Sequence, residues 1–122
     1  MENKKVLIVE DDPSNQTLFK LFLKNEPYDL IPAYSTQEAI SLLESESVDV
    51  ILIDLNLEGD GDGADLVRNI KKLPDYQSVP VFVVSGLDEQ QFAEFGIKNQ
   101  IDGYFRKPVR KKTLVSALAK VT

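Results

Sequence analysis

VDVILID, residues 48–54, packs five apolar residues into the six from Val48 to Ile53 and ends on an aspartate. The run shows no sustained alternation, which is how a strand buried on both faces reads, because neither face needs polar side chains. Val6–Val9 and Val79–Val84 have the same β-branched character and predict two more central strands. Between and beyond these runs, apolar residues recur at helical spacing. Leu18, Leu21 and Phe22 form one stripe, Ala39, Ile40, Leu42 and Leu43 a second, and Leu66, Val67 and Ile70 a third. Each stripe predicts a helix lying on one face of a sheet.

Helix starts carry their own signals. Asp12 before Pro13 reads as an N-cap followed by the first helical position, and Ser35 with Glu38 three residues later reads as a capping box. Asp29–Ala33 predicts a strand placed near an edge, since Pro32 cannot donate to a ladder, and Ile101–Phe105 predicts a short one. A helix is expected over Leu87–Lys98 around Phe92 and Phe95. The last helix is expected over Val109–Val121, with Leu114, Val115, Leu118 and Val121 as its stripe. The alternation βαβαβαβαβα calls for a parallel sheet with right-handed crossovers and helices on both faces. No repeat, low-complexity tract or linker interrupts it, so one domain over residues 1–122 is expected.

Composition narrows the chemistry. With 122 residues and 43% hydrophobic content, the chain can bury a core without disulfides. A net charge of -6 argues against a general nucleic-acid grip, which needs a cationic surface. The chain has no cysteine and no histidine, which removes thiolate catalysis and any internal imidazole base, nucleophile or ligand. The N-terminal apolar run is too short for a signal peptide or membrane span, and a cytoplasmic setting without membrane contact is expected. Carboxylate, hydroxyl and lysine chemistry remain.

In an open parallel sheet, reactive groups gather beyond the carboxyl ends of the strands. Here the first strand is followed by Glu10, Asp11 and Asp12, the third by Asp54, the fourth by Ser85, and the fifth by Lys107 and Pro108. If the first and third strands are neighbours, Glu10, Asp11 and Asp54 crowd together, and a hard divalent cation is the economical way to relieve their repulsion. Mg2+ suits such a site, since it takes one or two carboxylates and completes its shell with water and phosphoryl oxygen. Asp12 is read as a helix cap, and Glu10 as either a direct ligand or one acting through water. Lys107 is a partner for anionic oxygen. Ser85 is either a helix-start residue or a hydroxyl donor.

Glu10-Asp11, Asp54, Ser85 and Lys107-Pro108, in this order and spacing, resemble the receiver domain of bacterial two-component response regulators over essentially the whole chain. The resemblance implies a flavodoxin-like, doubly wound (βα)5 sheet ordered 2-1-3-4-5. It implies that Asp54 is the phosphoacceptor and that Mg2+ is bound by Asp11, Asp54 and the backbone carbonyl of Asn56, with Glu10 assisting. Lys107 would screen phosphoryl oxygens and Ser85 would move toward one of them. Tyr104, three residues before Lys107, matches the family's aromatic switch, or is equally read as a half-buried strand tyrosine. The implied donor is the phosphohistidine of a sensor histidine kinase or histidine phosphotransfer protein. The implied output is a downstream protein at the surface of the fourth helix, fifth strand and fifth helix. The chain is expected to be a signalling domain that assists its own phosphorylation and dephosphorylation rather than an enzyme, and to be a monomer or weak dimer.

Several features stand apart from that pattern. Glu58 stands where many receivers have proline, and Gly86 where alanine is commoner. Glu58, Asp60, Asp62 and Gly63 resemble the start of an EF-hand loop, but position twelve would be Asn69 and helical spacing begins near Asp65. Arg106, Lys107, Arg110, Lys111 and Lys112 form a basic set, read as a solvated helix start or a protein-docking patch rather than a nucleic-acid site. A flavin site is disfavoured because EDDPSNQ after the first strand would repel phosphate without a metal. The remaining alternative is an inactive receiver-like interaction module.

Overall fold

The computed structural model describes residues 3–54 and 63–122. They form β1 (Lys4–Val9), α1 (Pro13–Phe22), β2 (Tyr28–Ala33), α2 (Thr36–Ser45), β3 (Val50–Asp54), α3 (Gly63–Lys72), β4 (Val81–Ser85), α4 (Glu89–Ala93), β5 (Gly103–Arg106) and α5 (Lys111–Val121). Single 3-10 turns lie at Pro74–Tyr76 and Lys98–Gln100. The strands make one sheet ordered β2-β1-β3-β4-β5, with every adjacent pair parallel. This is the flavodoxin-like arrangement expected. Pro32 sits on the edge strand β2, where its missing N–H leaves no central ladder incomplete.

The absence of alternation in the central strands follows from packing on both sides. Leu7, Val9, Ile51, Ile53, Val81 and Val83 face one core with Ala39 and Leu43 of α2, Leu66, Val67 and Ile70 of α3, and Phe92 of α4. Their neighbours Val6, Ile8, Val50, Leu52, Phe82 and Val84 face a second core with Phe19 and Leu23 from the α1 region and Leu114 and Leu118 of α5. Helices therefore cover both faces. Each fully buried side chain of this kind contributes about 1.5–3 kcal/mol relative to exposure.

The helix starts form as the local chemistry directs. Asp12 accepts a hydrogen bond from Ser14 N–H ahead of Pro13, and Ser35 Oγ accepts from Glu38 N–H at 3.0 Å. The reciprocal half of a capping box forms at α4, where Asp88 and Gln91 exchange bonds, rather than at Ser35.

Four expectations need correction. On α1, Leu18 and Leu21 are exposed at 42% and 57%, while Gln16, Phe19 and Leu23 form the buried row. Apolarity alone misplaced that stripe, because the polar Gln16 is buried with its amide satisfied by backbone carbonyls. The helix expected over Leu87–Lys98 is only Glu89–Ala93. Gly96 then takes φ 70°, a left-handed turn that ends helical propagation. The last helix begins at Lys111 rather than Val109, after a cis Lys107–Pro108 bond, and Val121 is exposed. The third, fourth and fifth strands start two residues later than the apolar runs, at Val50, Val81 and Gly103.

Candidate functional site

Register brings the acids together. Val9 of β1 pairs with Ile53 of β3, so the residues just beyond, Glu10 and Asp54, leave the sheet side by side. Glu10, Asp11 and Asp54 each offer a carboxylate oxygen within 4.8 Å of the others, with Glu10 and Asp54 buried and Asp11 half-buried. Lys107 reaches the same point from beyond β5, its Nζ 3.1 Å from Asp54 Oδ2. Its own backbone is anchored by Lys107 N–H donating to Ser85 O at 2.7 Å. Residues remote in sequence thus meet because the sheet order interleaves β1, β3, β4 and β5 at one end.

Glu10 is the strained member of the group. Its Oε1 accepts from Asp12 N–H at 3.1 Å, whereas its Oε2 is buried without a hydrogen-bond partner among the described residues. Burial is the main reason its carboxyl is raised from 4.5 to about 8. The closeness and negative charge of the Asp54 carboxylate push the same way, against the Asp12 N–H and Lys107. Without a cation, Glu10 therefore keeps a proton near neutrality. An orphaned buried oxygen beside two further carboxylates is a donor set that a hard divalent cation satisfies and that a lone lysine does not. The residues present fit Mg2+.

Ser85 and Tyr104 converge on one residue. Ser85, the buried last residue of β4, accepts from Leu87 N–H through Oγ at 3.1 Å. Tyr104 of β5 donates from its hydroxyl to Leu87 O, and its ring stacks on Phe92 of α4 with centroids 4.2 Å apart. Tyr104 is therefore a half-buried strand tyrosine that is also bonded to the strand-to-helix turn. Asn56, Glu58, Asp60 and Asp62 lie outside the described residues. In the basic set, Lys107 turns into the site while Arg106, Arg110, Lys111 and Lys112 are exposed. Among the described residues, no helix is long and apolar enough to cross a membrane.

Comparison with known proteins agrees with this geometry. The family model of the response regulator receiver domain matches residues 6–119. The chain belongs to that family. This receiver domain is 29% identical over 112 residues to the regulatory protein VanR of Enterococcus faecium, covering 92% of this chain and 47% of that protein. It spans about half the length of that curated relative. A CheY-like receiver domain protein from Methanospirillum hungatei JF-1 superposes with a TM-score of 0.86 at 26% identity, covering 98% of this chain and 93% of that one. The receiver domain of a sensor histidine kinase from Pseudomonas aeruginosa PAO1, solved with a magnesium ion coordinated in its active site cleft, gives 0.88 at 25% identity, covering 98% and 97%. Membership in the family makes the chain a response regulator receiver domain of two-component systems, which implies a phosphoacceptor switch. Receiver domains bind Mg2+ at an acidic pocket, and Glu10, Asp11 and Asp54 form an acidic cluster here.

Gln16 was not among the residues singled out from sequence, although its bonds reach the loop carrying Glu10 and Asp11. The signal available was its place three residues before Phe19 and seven before Leu23, on what proves to be the buried row.

Proposed function

We propose that the chain, as one domain over residues 1–122, accepts a phosphoryl group on Asp54 from the phosphohistidine of a sensor histidine kinase or histidine phosphotransfer protein. The observation that carries this reading is the convergence of Lys107 Nζ and the Glu10, Asp11 and Asp54 carboxylates at one end of the sheet. Glu10, Asp11 and Asp54 would hold Mg2+, with the Asn56 carbonyl assigned by family resemblance alone. Bound there, Mg2+ supplies neutralisation of the charge on the transferring group.

The chain's own residues do the rest. An Asp54 carboxylate oxygen forms the new bond to phosphorus as the donor's P–N bond breaks, leaving an aspartyl phosphate and a free imidazole. Lys107 is anchored through its backbone, so its ammonium is already aimed at the oxygens that gain charge. Ser85 Oγ accepts from Leu87 N–H, which leaves its own hydrogen free to be donated to a phosphoryl oxygen.

The same turn relays the event. Leu87 is held at its N–H by Ser85 and at its carbonyl by Tyr104, so a shift of Ser85 toward phosphate is felt by the tyrosine. The ring of Tyr104 packs on α4, and a cleft of about 200 Å³ lies beside it, lined by Glu89, Phe92, Lys98 and Ile101 among others. The α4-β5-α5 face is therefore the surface proposed to meet a downstream protein, with exposed Arg110 and Lys111 at the start of α5 as contacts. The setting proposed is cytoplasmic, and the active unit a monomer or weak dimer.

The test is treatment with acetyl phosphate and Mg2+ followed by intact-mass measurement. A single phosphoryl adduct that Asp54→Asn abolishes supports the reading. No adduct on the unmutated chain would instead make it an inactive interaction module.

A further inference from the structure

We infer that Gln16, on α1, is a positioning residue for the acidic pocket: its buried carboxamide sets the orientation of the peptide that joins Glu10 to Asp11. Gln16 Nε2 donates to Ile8 O at 2.8 Å, to Ala33 O at 3.1 Å and to Glu10 O at 3.2 Å. All three partners are carbonyls, so only the NH2 side of the amide fits toward them, and its two hydrogens are shared among three acceptors.

The position of these acceptors gives the contact its consequence. Glu10 O is the carbonyl of the Glu10–Asp11 peptide, and the plane of that peptide directs the chain on either side of it. Turning it changes ψ of Glu10 and φ of Asp11, the dihedrals that set how each side chain leaves the backbone. Ala33 O also receives Glu10 N–H at 2.9 Å, so one amide ties the exit of β1 to the end of β2 and holds Glu10 from both sides. The Glu10 side chain is fixed in turn by Asp12 N–H on Oε1, and its carboxylate belongs to the acidic cluster. Gln16 touches none of the reacting atoms and works through the backbone. A methionine of similar shape would fill its space but leave the Glu10 carbonyl without this donor.

This inference rests on the proposed Mg2+ site, and the test separates the two. Mg2+ binding is measured by calorimetric titration on the unmutated chain, Gln16→Met, and Leu118→Val, a core variant remote from the pocket. Gln16→Met is expected to weaken Mg2+ binding by about tenfold or more, in line with losses on removing groups that orient metal ligands. Leu118→Val is expected to bind as the unmutated chain does despite its own loss of thermal stability. Equal affinity in Gln16→Met and the unmutated chain overturns the inference. So does an equal weakening in Leu118→Val, which would make the effect one of general stability. Absence of Mg2+ binding by the unmutated chain overturns the metal site itself. If Gln16→Met does not fold, Gln16→Asn, whose amide is one methylene short of the Glu10 carbonyl, carries the same expectation and the same refutation.

Discussion

Replacing Glu10 by Gln should remove most of the pH dependence of folding in the metal-free protein between about pH 5 and 8. Burial, followed by the closeness and charge of Asp54, raises the Glu10 carboxyl from 4.5 to about 8. Above 4.5 the unfolded chain releases this proton, whereas the folded protein keeps it until about 8. Folding takes up a proton in that window. The associated stability is complete below 4.5 and is lost as pH rises through about 8. The slope is at most about 1.4 kcal/mol per pH unit, so the loss across the window is about 4 kcal/mol. The proton belongs to the Glu10–Asp54 pair rather than to one oxygen, and Gln keeps the shape without the titration. Guanidinium unfolding of both proteins with chelator present, at intervals across the window, measures the effect. The stability of Glu10→Gln minus that of the unmutated chain should grow steadily toward alkaline pH. Parallel curves would refute the assignment of the shifted group. In the same window the apparent Mg2+ affinity of the unmutated chain should rise by up to about tenfold per pH unit, because a binding ion displaces the proton.

Other substitutions probe different parts of the molecule. Lys107→Met removes the ammonium 3.1 Å from Asp54 and should slow acetyl-phosphate labelling by about 100-fold or more at saturating Mg2+, read by time-resolved intact mass. Gly103→Ala would place a Cβ 2.6 Å from the Phe82 ring. It should destabilise the fold by about 1–3 kcal/mol in denaturant unfolding, with β5 or the ring forced to shift. Gly86→Ala meets nothing within 4 Å among the described residues and should stabilise by about 0.4–1 kcal/mol in the same assay, through the lower entropy of the unfolded chain.

Much of the fold was legible because burial on both faces leaves a distinct trace. The unalternating runs at Val6–Val9 and Val48–Ile53 predict parallel central strands. Their partners confirm why, since successive residues of each strand enter opposite cores. Pro32 marked an edge, and Asp12 with Pro13 marked a helix start, because each acts through its own backbone. The α1 stripe was misread because a satisfied glutamine packs where a leucine was expected, and burial depends on partners that local sequence does not contain. The fourth helix was overlong because Phe95 keeps helical spacing from Phe92 although the helix already ends at Ala93, ahead of the left-handed Gly96.

The candidate site divides in the same way. Residue types and their places after strands were determined by sequence alone: Glu10, Asp11, Asp54, Ser85 and Lys107 each follow or end an apolar run, and the lack of histidine and cysteine limits the chemistry to them. Their convergence, the shifted proton on Glu10 and the shared hold of Ser85 and Tyr104 on Leu87 were decided only by tertiary structure. The reason is that local order sets which groups a strand end presents. Charge coupling and desolvation depend on distances between chain segments, and those exist only once the sheet has brought its strands into order.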